Sequence, residues 1–365
     1  MGSGSRPVES LVIDPAFWRD KRVWITGHTG FKGAWLCLWL QMLGARVSGY
    51  ALAPPTSPSL FDLARIAQGM TSITGDIRDP ACLRRALNDA QPQIVFHLAA
   101  QSLVRRSYHD PVETFATNVA GTVNVLEAIR HAPGVKAVVV VTSDKCYQNR
   151  GAAIAYREDD ALGGYDPYSS SKACAEIVAS SYRQSYWQEP SSPALASVRA
   201  GNVIGGGDWA ADRLVPDAIA AFAQGKPVRI RNPAALRPWQ HVLEPLTGYL
   251  MLAERLWDGP AELRGAWNFG AEQEDAKPVS WVVEHLARAW GDGAGWEPDS
   301  GKHQHEAGQL LLDCSKAKHR LGWRPRLALE EALAWVVEWH RAGIAGADAR
   351  DNSVAQISRY QALTG

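Results

Sequence analysis

Two short stretches of this 365-residue chain carry the side chains that acid–base chemistry needs. In Val140-Val141-Thr142-Ser143-Asp144-Lys145-Cys146-Tyr147, an apolar run read as a buried strand ends in a hydroxyl, a carboxylate and an amine. In Tyr168-Ser169-Ser170-Ser171-Lys172, a phenol and an amine stand one helical turn apart and so share a face. A phenol of pKa ~10 is a poor base at neutral pH unless a neighbouring cation favours its phenolate, and Lys172 is placed to be that cation. Asp144 and Lys145 form an acid–base pair at a strand end, and the residues themselves do not say which donates and which accepts. Alone, the Tyr-x-x-x-Lys spacing also occurs on ordinary exposed helices, and an Asp–Lys neighbour pair also makes surface salt bridges. Their weight depends on what gathers them.

The gathering element is the strand, turn and helix from Arg22 to Leu40. Lys21 to Thr26 reads as a buried strand, Gly27-His28-Thr29-Gly30-Phe31-Lys32-Gly33 as a sharp turn, and Ala34 to Leu40 as an apolar helix. Glycines at Gly27, Gly30 and Gly33 let the backbone approach a diphosphate, while N–H groups at the helix start favour the anion. A second strand, Ala45 to Leu52, follows at βαβ distance. Further strands are expected at Ser72 to Ile77, Gln93 to Ala100, Ala137 to Thr142 and Ala194 to Arg199, with helices at Ala81 to Asn88, Thr114 to His131 and Tyr168 to Tyr186. This alternation predicts an α/β chain with a Rossmann-type doubly wound parallel sheet. Ligands of such sheets lie beyond the carboxyl ends of the strands, so Gly27, Asp76, Ala99, Ser143 and Ala200 should meet in one crevice.

The second half is less regular, with Gly205-Gly206-Gly207, Pro216, Pro227, Pro233 and Pro238 as breakers. Helical patterns return at His241 to Trp257, Trp281 to Trp290 and Glu330 to His340, and Ala266 to Gly270 reads as a strand. The expected organisation is a dinucleotide-binding domain of residues 1–205, to which 238–270 return, and a smaller interleaved α/β substrate lobe of 206–237 and 271–365. The 38 basic and 38 acidic residues balance, which gives no field toward nucleic acid or an anionic membrane. Five scattered cysteines without zinc spacing read as reduced thiols. Met1 to Arg6 reads as a flexible tail with no apolar leader, and no run is long enough for a bilayer, so the chain is expected to be soluble and cytoplasmic. His303-Gln304-His305-Glu306 lacks a third ligand at a predictable distance, and no metal site is expected.

These residues resemble the extended short-chain dehydrogenase/reductase family over nearly the whole chain. The matching pieces are the glycine turn, Gly75-Asp76-Ile77, His97-Leu98-Ala99-Ala100, Asn118 and the Ser143/Tyr168/Lys172 set. Thr142 to Tyr147, Arg199-Ala200-Gly201-Asn202-Val203-Ile204-Gly205-Gly206-Gly207-Asp208-Trp209 and Arg237-Pro238-Trp239-Gln240-His241-Val242 are similar, more narrowly, to its nucleotide-sugar 4,6-dehydratases. The resemblance implies bound NAD, with Gly27, His28, Thr29, Gly30, Phe31, Lys32, Gly33, Asp76, Ile77, Leu98, Ala99, Ala100, Asn118, Tyr168 and Lys172 around it. It implies a nucleotide sugar, CDP-glucose, as substrate in deoxysugar formation. Tyr168 would take the proton of the sugar 4-hydroxyl, Asp144 would protonate the departing 6-hydroxyl, and Lys145 would be the base at carbon 5. A lysine base must be neutral, which burial and Lys172 nearby would favour. The helices at Thr114 to His131 and Tyr168 to Tyr186 resemble those of the family's dimer seam, implying a homodimer that could pair further into a tetramer.

The second strand lacks the acidic residue that commonly holds the ribose of NAD; Ala53 stands near that place. No arginine cluster for a 2′-phosphate replaces it. His28 and Lys32 are bulkier than the residues usual in this turn and are expected to change the grip on the diphosphate. On the substrate side, fixing a diphosphate calls for arginine forks. Arg213 and Arg237, with Asn202 and His241, are the expected contacts there, and Gln101, Ser102 and Arg105 are expected near the hexose. Other readings remain open on the residues: a nucleotide-sugar 4-epimerase, a dehydratase acting on another nucleotide sugar, and a non-catalytic nicotinamide-binding sensor or scaffold.

Overall fold

The computed structural model describes residues 13–151, 154–301 and 310–363. The tail Met1 to Arg6 and the segment His303 to Glu306 lie outside these. Strands β1 (Arg22–Thr26), β2 (Arg46–Ala51), β3 (Thr71–Thr74), β4 (Ile94–His97), β5 (Ala137–Val141), β6 (Ala194–Arg199) and β7 (Gly265–Asn268) form one sheet in the order β7-β6-β5-β4-β1-β2-β3. Every neighbouring pair is parallel. That order reverses direction between β1 and β4, which opens the crevice of a doubly wound sheet. The inner strands can be nearly continuous apolar runs because helices cover both faces. All five residues of β5 and all six of β6 are buried.

Helices α1 (Phe31–Met42) and, further on, α6 (Leu243–Asp258) cover one face, where Trp35, Leu38, Leu246 and Leu250 are wholly enclosed. Helices α2 (Pro80–Ala90), α3 (Gly121–Arg130) and α4 (Pro167–Tyr186) cover the other, with Leu83, Val125, Ala179 and Leu195 in the contact. Local chemistry fixes where α4 begins. Asp166 caps it by accepting from the Ser169 N–H at 2.9 Å and from its hydroxyl at 2.6 Å, and Pro167 takes the first helical position. Tyr168 is thereby held in the first turn, beside the end of β5.

Of the remaining elements, segments around 208–239, Val279 and His340 border the crevice, whereas the C-terminal helix packs against α1. Helices α5 (Leu214–Ala223), α7 (Val279–Trp290), α8 (Leu329–Ile344) and α9 (Ala349–Gln361) join two-stranded ladders, among them Val228–Ile230 with Trp296–Pro298 and Leu236–Pro238 with Ala276–Pro278. The third strand is shorter than its sequence pattern suggested, because the chain leaves the sheet at Gly75 and Asp76 lies in the following loop. The expected helix over Thr114 to His131 is a composite: Pro111–Phe115, a π segment Ala116–Ala120, then α3. Asn118 sits in that π segment.

Glu244, in the first turn of α6, ties α9 to the body of the molecule. It accepts from the Arg326 and Leu327 N–H groups at 2.9 and 2.8 Å and from the Tyr360 hydroxyl at 2.7 Å. Burial still pushes its carboxyl up to about 7. A carboxyl raised on folding holds its proton more tightly in the native state, so its stabilising share is full below the unfolded pKa of ~4.3 and is lost as pH rises toward 7. Chemical denaturation of wild type and Glu244→Gln at pH 5 and pH 8 is expected to show the difference. The wild type should lose about 2–3 kcal/mol more than the variant over that interval.

Candidate active site

The turn after β1 is shaped by close approach. Gly27 has φ +76°, and a Cβ there would lie 2.7 Å from the Ala99 nitrogen at the end of β4. A Cβ on Gly33 would fall 2.1 Å from the Gly27 carbonyl oxygen, so glycine is what lets α1 sit against the turn. Gly30 is different: a Cβ there would meet only the Gly27 oxygen, at 3.5 Å, and no side chain caps the helix N-terminus. Open backbone at the positive end of a 12-residue helix suits a dinucleotide diphosphate.

His28 and Lys32, which the sequence pairs, go opposite ways. The His28 ring is fully buried beneath the turn, hydrogen-bonded to the Ser72 hydroxyl at 2.7 Å and set edge-on to Phe61. A Cβ on Gly49 of β2 would be 2.3 Å from that ring, so β2 makes room for it. Burial lowers its pKa to about 4, leaving it neutral. Its bulk therefore does not face the diphosphate groove, contrary to expectation. Lys32 lines the cleft, with its ammonium lowered to about 8 by burial and by Arg213, against an opposing pull from Asp144.

Of the five strand-end residues, Ser143 and Ala200 line one cleft and Gly27 lies against Ala99. Ser143, at the end of β5, caps the tight turn Asp144–Cys146 by accepting from the Lys145 N–H at 3.2 Å, and its hydroxyl donates to Asp144 Oδ1 at 2.9 Å. Tyr168 reaches the same hydroxyl from α4. Burial pushes the phenol up to about 12 even though Ser143 pulls it down. Lys172 donates to the Val141 carbonyl at 3.3 Å, and burial lowers it to about 8 with Glu176 acting to keep it charged. Ser143, Asp144, Lys145 and Tyr168 line one cleft of about 340 Å³; Lys172 lies beneath it.

A buried hydrogen-bond network joins the elements of this corner. Glu176, one turn beyond Lys172, accepts from Thr142, from the Ser197 hydroxyl at 2.6 Å and from Arg199 at 2.9 Å. Arg199 also donates to the Tyr147 hydroxyl at 2.6 Å, which donates to Asn268 at 2.7 Å. One chain of bonds thus ties α4, β5, β6 and β7. Its charged pair is only 3 % exposed at each end, so removing either partner would strand a buried charge.

Gly201 sets the position of Asp144. A Cβ there would lie 2.1 Å from Asp144 Oδ2 and 2.4 Å from its Cγ. Gly201→Ala is expected to cost about 1–3 kcal/mol of stability, read from denaturant melts, and to displace the carboxylate from the cleft.

Of the expected substrate contacts, Ser102, Arg105, Asn202, Arg213 and Arg237 line the cleft. Arg213 is held by Asp208 at 2.9 Å and donates to the Ser102 hydroxyl at 3.2 Å; Arg105 pairs with Asp212 at 2.6 Å. Two expected contacts are not brought there. The Gln101 side chain turns inward to the Thr114 hydroxyl and the Leu103 backbone, fastening its own loop. His241 is fully buried between Trp35 and Trp335, because it lies on a short strand whose neighbours are core. Asn118 is also buried: it bonds both backbone groups of Gln101 and the Ser171 hydroxyl, clamping that loop to α4. Leu98, Ala99 and Ala100 lie half-buried at the end of β4, Ile77 is buried, and Asp76 takes a two-pronged bond from Arg78. The cleft also has apolar walls from Val215, Val228, Ile230 and Val279, beside the polar groups of Asp217, Arg229, Arg231 and Asn232. Asp217 and Glu176 escaped sequence reasoning; an acid one turn from Lys172 on the same helix face was the available signal for Glu176. Among the described residues there is no cluster of metal-ligating side chains and no helix long and apolar enough to cross a membrane.

Residues 23–270 match the model of the NAD dependent epimerase/dehydratase family. The chain is 53% identical over 357 residues to a CDP-glucose 4,6-dehydratase of Salmonella typhimurium, covering 97% of this chain and 99% of that one. It is 30% identical to a UDP-glucose 4-epimerase of Mycolicibacterium smegmatis, covering 88% and 98%. Among solved structures, the Thermus thermophilus UDP-glucose 4-epimerase in complex with NAD superposes with a TM-score of 0.75 at 26% identity, covering 87% of this chain and 98% of that one.

Proposed function

The chain belongs to the NAD dependent epimerase/dehydratase family, and we propose that it converts CDP-D-glucose to CDP-4-keto-6-deoxy-D-glucose and water. The observation that carries this reading is the carboxylate and amine of Asp144 and Lys145 on the wall of the same cleft as Ser143 and Tyr168. Epimerisation at carbon 4 needs a single base there; eliminating water across carbons 5 and 6 needs a second acid–base pair.

The glycine turn, open at Gly30, would hold the diphosphate of NAD, and Lys172, Tyr168, Ile77, Asp76 and the β4 end would complete its pocket. When bound, NAD supplies the oxidation of carbon 4 and its reversal at carbon 6, so none is consumed. Tyr168 takes the proton of the 4-hydroxyl, assisted by Ser143. The resulting ketone acidifies carbon 5, from which Lys145 removes the proton while Asp144 protonates the departing 6-hydroxyl as water. Carbon 5 is then reprotonated, which balances the loss of one water. Arg213 and Arg237 hold the substrate diphosphate, and the apolar walls of the cleft receive the base.

Residues 1–205 with 238–270 act as the cofactor domain and the rest as the sugar-nucleotide lobe; the return of β7 to the sheet beside β6 supports that division. Exposed Val112, Phe115, Ile177 and Tyr186, on the composite helix and α4, support a homodimer through this face. Incubation with CDP-glucose beside dTDP-, GDP- and UDP-glucose tests the function by mass. Loss of one water from CDP-glucose is expected; an unchanged mass with inverted carbon 4 means epimerase, and no turnover means a binding protein.

A further inference from the structure

Three polar atoms behind Asp144 are buried without a hydrogen-bond partner: its own Oδ2, the Tyr249 hydroxyl and Gln240 Oε1. Their residues are 2 %, 0 % and 4 % exposed. They come from different elements but share one neighbourhood. Gly201 lies against Asp144 Oδ2. Gln240 Nε2 donates to the Gly201 carbonyl at 3.4 Å and to that of Phe269 at 2.8 Å, two bonds that fix which way its amide points. Tyr249, on α6, sets its ring edge-on to Phe269 with centroids 5.7 Å apart, and lies within electrostatic reach of Asp144 and Tyr168.

The three atoms are chemically complementary. A tyrosine hydroxyl can donate, while a carboxylate oxygen and an amide oxygen only accept. One water, with two protons to give and a lone pair to receive, has the hydrogen-bonding capacity to serve all three. The other groups facing Asp144 are Ser143 and Cys146 from its own turn, Lys32 from α1 and Tyr168 from α4. Ser143 already serves Oδ1. Once Asp144 has given up its proton, Oδ2 is a buried anionic oxygen that needs a donor of its own.

We propose that Tyr249 is a positioning residue for Asp144, donating through one internal water shared with Gln240 to the carboxylate oxygen that Ser143 does not serve. This rests on the dehydratase reading above. Tyr249→Phe keeps the ring on Phe269 and deletes only the hydroxyl. In the NAD-loaded enzyme with CDP-glucose, kcat is expected to fall about tenfold with KM little changed. Reduced nicotinamide should build up during turnover, because the elimination step that Asp144 serves becomes slow relative to carbon 4 oxidation. Carbon 4 oxidation, followed as reduced nicotinamide in a single turnover, should be unchanged. Gln240→Met, which removes the water's other anchor, should give the same build-up and the same fall in kcat, and carries the test should the first variant not fold. A purely structural hydroxyl without a partner gives a Tyr249→Phe enzyme of equal or higher melting temperature, wild-type kcat and no build-up of reduced nicotinamide, and that result overturns the proposal. Absence of dehydration by the wild type strikes the activity itself and is seen before either variant is compared.

Discussion

Tyr168→Phe is expected to reduce kcat for CDP-glucose by about 10²–10⁴-fold with little change in KM or melting temperature. The ring is buried in the first turn of α4, where its place is set by the Asp166 cap and Pro167 rather than by its hydroxyl. Deleting the oxygen thus leaves the packing and removes the acceptor for the 4-hydroxyl proton. Since carbon 4 oxidation comes first, the variant should show neither reduced nicotinamide nor 4-keto product in a single turnover. A variant that still oxidises carbon 4 at the wild-type rate would assign that proton to another group, with Lys172 the nearest alternative. The phenol lies at about 12 and Lys172 at about 8 in the protein without ligand. Turnover that needs the phenolate and the Lys172 ammonium together should therefore rise with pH up to about 8 and level off above it, where each further gain in phenolate is offset by loss of the ammonium.

Much of this corner was legible because it is written in local patterns. Continuous apolar runs at Ile94 to His97 and Ala137 to Val141 could only be strands buried on both faces, and glycines at Gly27 and Gly33 marked backbone contacts that any Cβ would block. A hydroxyl and a carboxylate placed where such a run stops must lie at the sheet's carboxyl edge. What periodicity does not encode is which of two neighbouring polar side chains turns outward. His28 and Lys32 look equivalent in the turn, but β2 offers a glycine opposite His28 and the ring fills that gap. The isolated Gly49 within a strand was the visible sign of that close approach. His241 was misplaced for a related reason: a motif locates a backbone segment at the site, while the core decides the direction of each side chain.

Long-range partners were less legible still. Nothing near Arg199 announces Glu176, which precedes it by more than twenty residues and meets it only because α4 lies across β6. Helix α5 was hidden by Pro216, which reads as a breaker but occupies the first turn, where a missing N–H costs nothing. Tyr249 lies on the buried side of α6 among Leu246, Leu250 and Ala253, so spacing classes it as packing; only its unpartnered hydroxyl sets it apart.

Asp144→Asn should separate the two halves of the reaction. The change is isosteric, which matters where Gly201 leaves no spare room beside Oδ2. Ser143 and Tyr168 are untouched, so carbon 4 should still be oxidised, but an amide cannot give the departing 6-hydroxyl its proton. Overall kcat is expected to drop by about 10²–10⁴-fold while reduced nicotinamide accumulates to nearly one per active site. In deuterated water the two members of the pair become distinguishable. If Lys145 is the base, Asp144→Asn should still exchange the carbon 5 hydrogen of the oxidised sugar for deuterium, since removing that proton does not require the leaving group to depart. Lys145→Met should accumulate the same reduced nicotinamide without exchange. The reverse pattern, with exchange lost in Asp144→Asn and kept in Lys145→Met, would make the carboxylate the base and the ammonium the acid, leaving the fold and the oxidation step as they stand.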